Sequence, residues 1–283
     1  MSDLVILGGI AIDHLCRVKD AKATYSQALD YSENLGGMAY NTSVATAQLG
    51  IKTILVSPVG DDFPGAPSLR NLTYNLQKAK GKTTRCTLIY DGKSERIYFL
   101  RGVYHDIDII KAKAAIKKAD WVHFAGVAPC FSELAGFAKK SKKTISSNLG
   151  YDLFHYPPKD KLLKGLIERS NYLIMSDNEI GYLGIDPRDL KGKTIIKTMG
   201  KKGSVVFEGN KETKIKTYPV KVGSPFGAGD TYTGTFIAAK MSKRSTIESA
   251  RLASAAGSFA VEEKTTTPKL NWGKIKKRAK KLV

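Results

Sequence analysis

Short apolar runs alternate with helical patterns along most of this chain, and that alternation restricts its architecture more than any other feature. Runs such as Leu4–Ile10 and Trp121–Ala125 are apolar on both faces of a strand, so both faces must be covered. Helices between consecutive strands supply the cover, which predicts a doubly wound, mostly parallel α/β sheet flanked by helices. Strands are predicted at Leu4–Ile10, Thr53–Val59, Trp121–Ala125, Thr144–Asn148, Tyr172–Met175, Thr194–Met199 and Ser204–Glu208. Helices are predicted from Ala39 to Leu49 with Gly50 as the stop, and from Ser132 to Ser141, Asp160 to Ser170, Gly229 to Lys240 and Ser245 to Glu262.

Two stretches break the rhythm. Residues 14–35 show no clear helix after the first strand, and residues 85–104 read as a hairpin, Arg85–Tyr90 and Glu95–Arg101, around Asp91-Gly92-Lys93-Ser94. Together they predict a small β-sheet lid over one edge of the main sheet. No internal repeat and no Pro/Ser/Gly-rich linker divides the 283 residues, so residues 1–283 are expected to form one domain. No apolar run approaches the roughly 20 residues that a membrane span requires. Met1-Ser2-Asp3 followed by the brief run Leu4–Leu7 is unlike a secretory signal, so a cytoplasmic protein without a membrane partner is expected. Cys16, Cys86 and Cys130 lack the paired spacing of a zinc or redox site and are assigned no chemistry.

With 46 Lys+Arg against 26 Asp+Glu the chain carries +20, a balance that invites acidic partners such as nucleic acid or phosphates. Much of the charge sits in Lys doublets within helical patterns, such as Lys117-Lys118 and Lys139-Lys140, and in the tail from Lys274 to Lys281. No aromatic stacking pattern accompanies these runs, so solvated helix faces are expected and no specific nucleic-acid partner.

The sharpest local feature is Gly227-Ala228-Gly229-Asp230, after a strand-like Lys214–Val222 region and at the opening of a helix. Small residues let backbone N–H groups approach an anion, and a helix start adds partial positive charge, so the segment suits a phosphoryl group in transfer. A carboxylate there repels a resting phosphate yet is placed to accept the proton of an attacking hydroxyl. A glycine turn followed by an ordinary acidic first-turn residue describes the same four residues. Gly8 to Asp13 ends the first strand, where ligands bind in open parallel sheets, and Asp13 can accept hydrogen bonds from a polyol. Gly36-Gly37 opens the next helix with Asn41 one turn in, able to donate and accept. Thr198, Gly200 and Gly203 lie between two late strands, where a Gly-x-x-Gly spacing suits either a nucleotide phosphate or a tight hairpin turn. The four histidines, His14, His105, His123 and His155, form neither a metal triad nor a catalytic dyad, and the P-loop and the Gly-x-Ser-x-Gly elbow are both missing.

These segments occur in a set order, and in that order the chain resembles the ribokinase-like (PfkB) family of sugar and nucleoside kinases over nearly its whole length. Gly8 to Asp13 resembles the family's first-strand substrate motif, and Gly36-Gly37 through Asn41 its Gly-Gly-x-x-x-Asn segment. Val59-Gly60-Asp61-Asp62 is similar to its Val-Gly-x-Asp turn, and Thr198-x-Gly200-x-x-Gly203 to its nucleotide-phosphate loop. Gly227-Ala228-Gly229-Asp230 resembles its C-terminal signature, the most specific of the set.

The resemblance implies a ribokinase-like fold with a β lid that excludes water, and ATP- and Mg²⁺-dependent transfer of the γ-phosphoryl group to a hydroxyl of a small sugar, with a nucleoside second. It implies Asp230 as the general base and the N–H groups of Gly227, Ala228 and Gly229 as an anion hole. Asp13, Gly37 and Asn41 would hold substrate hydroxyls, and Thr198, Gly200 and Gly203 would line the nucleotide site. Pairing of two copies through the lid is a further expectation. Met38-Ala39-Tyr40 and the lid residues Tyr98 and Phe99 offer rings and sulfur for stacking on a base, although a lid aromatic also serves simply as packing.

Two departures from the family pattern stand out. Ser224 occupies the position six before Asp230 where an acidic residue is usual, with Pro225 and Phe226 after it. Where the family carries Asn-x-x-Glu, Asn178-Glu179-Ile180-Gly181 keeps the Asn and puts Gly181 at the Glu position, leaving Asn178 and Glu179 as the candidate metal residues. Both departures remove negative charge from the metal's surroundings. That loss gives some weight to an alternative, a non-catalytic binding protein that keeps the kinase fold and acts through its basic surface.

Overall fold

A computed structural model describes residues 3–263 and 265–282; Met1, Ser2, Lys264 and Val283 lie outside the described residues. The first strand, β1 (Leu4–Gly8), is buried along its whole length. Its alternate side chains go to opposite cores: Val5 and Leu7 pack on one face of the sheet, Leu4 and Ile6 on the other. The remaining strands are β2 (Ala11–Val18), β3 (Ala28–Gly36), β4 (Thr53–Val59), β5 (Leu72–Lys78), β6 (Thr84–Tyr90) and β7 (Glu95–Leu100). Beyond these come β8 (Trp121–Ala125), β9 (Thr144–Asn148), β10 (Tyr172–Ser176), β11 (Thr194–Thr198), β12 (Ser204–Glu208) and β13 (Lys211–Ile215).

The large sheet runs β13-β12-β11-β10-β9-β8-β1-β4-β5. It is parallel from β11 to β5 and antiparallel only through β12 and β13. On one face lie α2 (Ile109–Lys118), α3 (Phe131–Lys140) and α4 (Lys161–Arg169), around Phe124, Phe131 and Leu134. On the other lie α1 (Met38–Gln48), α6 (Ala228–Met241) and α7 (Thr246–Glu262), around Tyr40, Phe236 and Leu252. Two shorter helices, α5 (Asp177–Leu183) and α8 (Trp272–Ala279), complete the set. Caps fix several starts: Asp108, Asp160 and Ser245 each accept a hydrogen bond from a first-turn N–H. Among the described residues no helix is long and apolar enough to cross a membrane.

A second sheet, β3-β2-β6-β7, lies apart from the first. The predicted hairpin is its β6–β7 pair, in antiparallel register from Arg85↔Leu100 to Tyr90↔Glu95. Two expectations are corrected here. The predicted strand Leu4–Ile10 stops at Gly8, and Ala11 already belongs to the other sheet. Residues 14–35 are largely β2 and β3 rather than irregular; β3 is exposed over most of its length, so its sequence carries no apolar alternation. Of the strand-like Lys214–Val222 region, only the start belongs to a strand, β13. The basic tail is mostly solvated, and its Arg278 is tied down, stacked on Phe259 at 3.7 Å and bonded to Glu262 at 2.8 Å.

Candidate active site

The carboxyl ends of the parallel strands face the small sheet across a cavity of about 350 Å³. The small sheet contributes Asp13, Cys86, Leu88 and Ile97; strand ends of the large sheet contribute Asn148, Ser176 and Thr198; helices contribute Asn41, Glu179 and Asp230.

Asp13 stands third in β2, not in a loop after β1, and is buried. The Gly37 backbone and the Cys86 thiol favour the ionised form of its carboxyl, but burial, with the nearby Asp230 charge second, outweighs them and pushes its pKa up to about 7. Gly37 takes φ +85° as the N-cap of α1, a conformation that side chains rarely adopt, and a Cβ there would press on the Gly9 carbonyl at 2.7 Å. Asn41, buried one turn into α1, donates from Nδ2 to Asp230 Oδ2 at 2.9 Å. Asp13 Oδ1 and Asn41 Oδ1 are buried without a partner among the described residues. Unpaired buried oxygens are costly, and both residues line the cavity, so a polyhydroxylated ligand bound there is what would satisfy them.

Asp230 is the third residue of α6, and burial pushes its pKa up to about 6 despite the hydrogen bond from Asn41. Gly227 caps that helix with φ +78° and no side-chain hydrogen bond, so the first N–H groups, including those of Ala228 and Gly229, have no intrahelical acceptor. A Cβ on Gly227 would overlap the Thr266 carbonyl, whereas one on Gly229 would meet open space. Gly227 and Gly229 line the cavity.

Thr198 reaches the cavity from the end of β11, while Gly200 and Gly203 do not line it. They form the turn from β11 into antiparallel β12, where the Gly203 N–H is spent on the Gly200 carbonyl at 2.9 Å.

Around α5 the spacing differs from the sequence reading. Ser176 is the N-cap and Glu179 the third helical residue, joined in a reciprocal capping box. The polar-x-x-Glu pattern therefore falls on Ser176 to Glu179, and Gly181 lies exposed on the helix surface. The buried Glu179 carboxylate accepts from Ser176 N at 2.5 Å and Gly150 N at 2.6 Å, while Asn178 is exposed at the cavity rim. Ser224 is buried and its hydroxyl accepts from the Phe226 N–H at 3.3 Å.

Sequence reasoning missed Asn148, Ser176 and Gly150, each at or just after a strand end, where the carboxyl-end rule points. It also missed a second cavity, of about 120 Å³, that shares Gly37, Met38, Cys86, Ile97 and Tyr151 with the first. Phe99, Tyr104 and Ala125 make this annex largely apolar, with Thr84, Asp152 and His155 as polar groups. Phe99 thus faces a cavity, whereas Tyr98 is exposed and Tyr40 packs in the core.

The raised Asp13 pKa sets a stability prediction. The folded state holds the proton more tightly than an ordinary carboxylate, so the stabilisation present in acid is lost as pH rises through about 7. Asp13→Asn should therefore be more stable than wild type at pH 8, by on the order of 1–4 kcal/mol, and melt higher, with the gap closing near pH 4. Thermal melts at the two pH values check this, and equal gaps would refute it.

The sequence profile of the pfkB family carbohydrate kinase matches residues 1–272. The chain is 30% identical over 283 residues to a nucleoside kinase of Methanothermobacter thermautotrophicus, covering 93% of this chain and 91% of the relative. The crystal structure of the Methanocaldococcus jannaschii nucleoside kinase superposes with a TM-score of 0.79 at 26% identity, over 99% of both chains. A putative ribokinase from Escherichia coli, at 15% identity and TM-score 0.84 over 99% of this chain and all of the other, has the same fold. By the extent of that profile match, the chain belongs to the pfkB family of carbohydrate kinases, phosphotransferases that act on a hydroxyl group.

Proposed function

We propose that the chain is a nucleoside kinase that uses ATP with Mg²⁺, acting as one domain with the small sheet as its lid. The sequence ranks a sugar ahead of a nucleoside; the annex supports the opposite order. A monosaccharide has no group to place in an apolar, aromatic-walled space of about 120 Å³ opening off the polar cavity, whereas a planar base suits it. The similarity to archaeal nucleoside kinases points the same way.

On this reading Asp13 and Asn41 hold ribose hydroxyls and Asp230 accepts the proton of the attacking one. As that O–H bond breaks, the oxygen bonds the γ-phosphorus and the bond to the ADP oxygen is released. The N–H groups of Gly227, Ala228 and Gly229, at the open start of α6, would face the charge that develops on the phosphoryl oxygens, although only Gly227 and Gly229 line the cavity. Thr198 borders the nucleotide from the end of β11, and the Gly200–Gly203 turn, outside the cavity, would meet it only where the nucleotide extends beyond that space. Among the described residues no three His, Cys, Asp or Glu side chains gather as a metal cage. One buried carboxylate, Glu179, with Asn178 beside it, fits an ion held chiefly by phosphate oxygens and water, as Mg²⁺ usually is. Bound there, the ion would neutralise phosphate charge.

A cytoplasmic homodimer is part of the proposal. Both edge strands of the small sheet expose apolar side chains, Leu29 and Tyr31 on β3 and Tyr98 and Leu100 on β7, which a second copy would cover. Sedimentation as a monomer at micromolar concentration would remove this part. The substrate is tested by ADP release from ATP and Mg²⁺ across ribose, other pentoses, hexoses and the common nucleosides, with EDTA as control. Nucleosides should show the highest kcat/KM and EDTA should abolish turnover; a pentose preferred over every nucleoside would refute the substrate assignment.

A further inference from the structure

Asn148 ends β9 at the main cavity, and its amide is held from behind by side chains inside the sheet. Trp121 Nε1 donates to Ser146 Oγ at 2.8 Å, Ser146 Oγ lies 2.9 Å from His123 Nδ1, and His123 Nε2 lies 3.1 Å from Asn148 Oδ1. His123 is completely buried, and burial pushes its pKa down to about 3, so the ring is neutral with a single proton.

The proton positions follow one from another. An indole N–H only donates, so the Ser146 oxygen accepts from it. The Ser146 carbonyl also lies near the ring, but the close contact is with the Ser146 hydroxyl, which makes no hydrogen bond to another acceptor among the described residues, so Nδ1 is assigned as its acceptor and Nε2 as the protonated nitrogen. Nε2–H then donates to the Asn148 carbonyl oxygen. A flipped amide would set N–H against N–H in a buried place, at the cost of an unmade hydrogen bond. The NH₂ group is thereby turned to the cavity side, where its one hydrogen-bond partner among the described residues is Met38 Sδ at 3.8 Å, a weak acceptor. Met38 lines both cavities, so this donor stands at the passage between them.

We propose that Asn148 is a specificity-determining residue that donates to an acceptor at the anomeric end of the substrate, with His123 as the positioning residue that keeps the donor turned inward. The identity of the acceptor rests on the nucleoside reading: it is O2 of a pyrimidine or N3 of a purine, the lone pair that every base offers beside its glycosidic bond. Recognition at that atom admits purines and pyrimidines alike.

The test compares adenosine with 3-deazaadenosine, which has C–H in place of N3, on wild type, Asn148→Ala and His123→Phe. Wild type should favour adenosine in KM by about three- to tenfold, with kcat little changed, and the ratio should collapse toward one in both variants. A ratio that persists in Asn148→Ala overturns the proposal. Nitrogen NMR of His123 in the unliganded wild type supplies a readout independent of variant folding. A ring protonated at Nε2 from pH 5 to 8 is expected, and an Nδ1–H tautomer or titration in that range overturns the positioning role. If wild type phosphorylates ribose and no nucleoside, the nucleoside reading alone fails. Asn148 is then judged by ribose against 1,4-anhydroribitol, which lacks the anomeric hydroxyl, where the same collapse supports the proposal and a persisting ratio overturns it.

Discussion

Asp230→Asn is expected to lower kcat by roughly 10²- to 10⁴-fold, equivalent to about 3–5 kcal/mol of transition-state stabilisation, while leaving the protein folded. The amide keeps the size of the carboxylate and its place in the first turn of α6, but it cannot take a proton. Nucleotide Kd should hold or improve, because a negative charge beside the transferred phosphoryl group is gone. The wild-type pH profile gives a second check. Burial pushes Asp230 up to about 6, and the base works only when ionised, so kcat/KM should climb with pH up to about that value and flatten above it. A kcat within tenfold of wild type, with circular dichroism unchanged, would remove Asp230 from the role of base.

Gly227→Ala is expected to damage folding and activity together. The N-cap holds φ +78°, and the added methyl would meet the Thr266 carbonyl, so about 1–3 kcal/mol of stability should go as the start of α6 shifts. Its free N–H groups move with it, and kcat/KM should fall by about 10²-fold or more. Gly229→Ala separates the two effects. A Cβ there meets no protein atom, so the melting temperature should be retained while the methyl occupies the space beside the phosphoryl site. Equal melting temperatures for wild type and Gly227→Ala would refute the steric argument.

The inner strands of the large sheet were legible because they are buried on both faces, as in β1 and β8, so their composition alone marks them, whereas the more exposed edge strand β5 was not predicted and β13 was caught only at its end. The small sheet was legible only where a turn announced it, at Asp91-Gly92 between β6 and β7. Strand β3, exposed on both faces, carries no such signal. The same division holds in the site. Asp230 and Gly227 announce themselves through a dense local pattern, but the pairing of Asn41 with Asp230 spans 189 residues and is a product of topology. The placing of the acidic residue in α5 needed the cap: Ser176 and Glu179 share a box that three-residue spacing cannot distinguish from Asn178 and Gly181. Asn148 drew no attention as a single residue at a strand end, because what orients it is a histidine on the neighbouring strand.

Asp13 and Asp230 belong to different sheets' structures, the one on β2 of the small sheet and the other on a helix packed against the large one. Their mutual repulsion is therefore an inter-sheet force, and the proton that relieves it is tied to how far apart the sheets stand. Any opening that separates the two carboxylates lets both ionise more easily, and by the same linkage a rise in pH favours the opened form while acid favours the shut one. Substrate hydroxyls set between them, one donating to each carboxylate, would do in neutral solution what the proton does in acid, offsetting the two like charges and drawing the small sheet and the large one together, so that the ligand itself becomes the clasp.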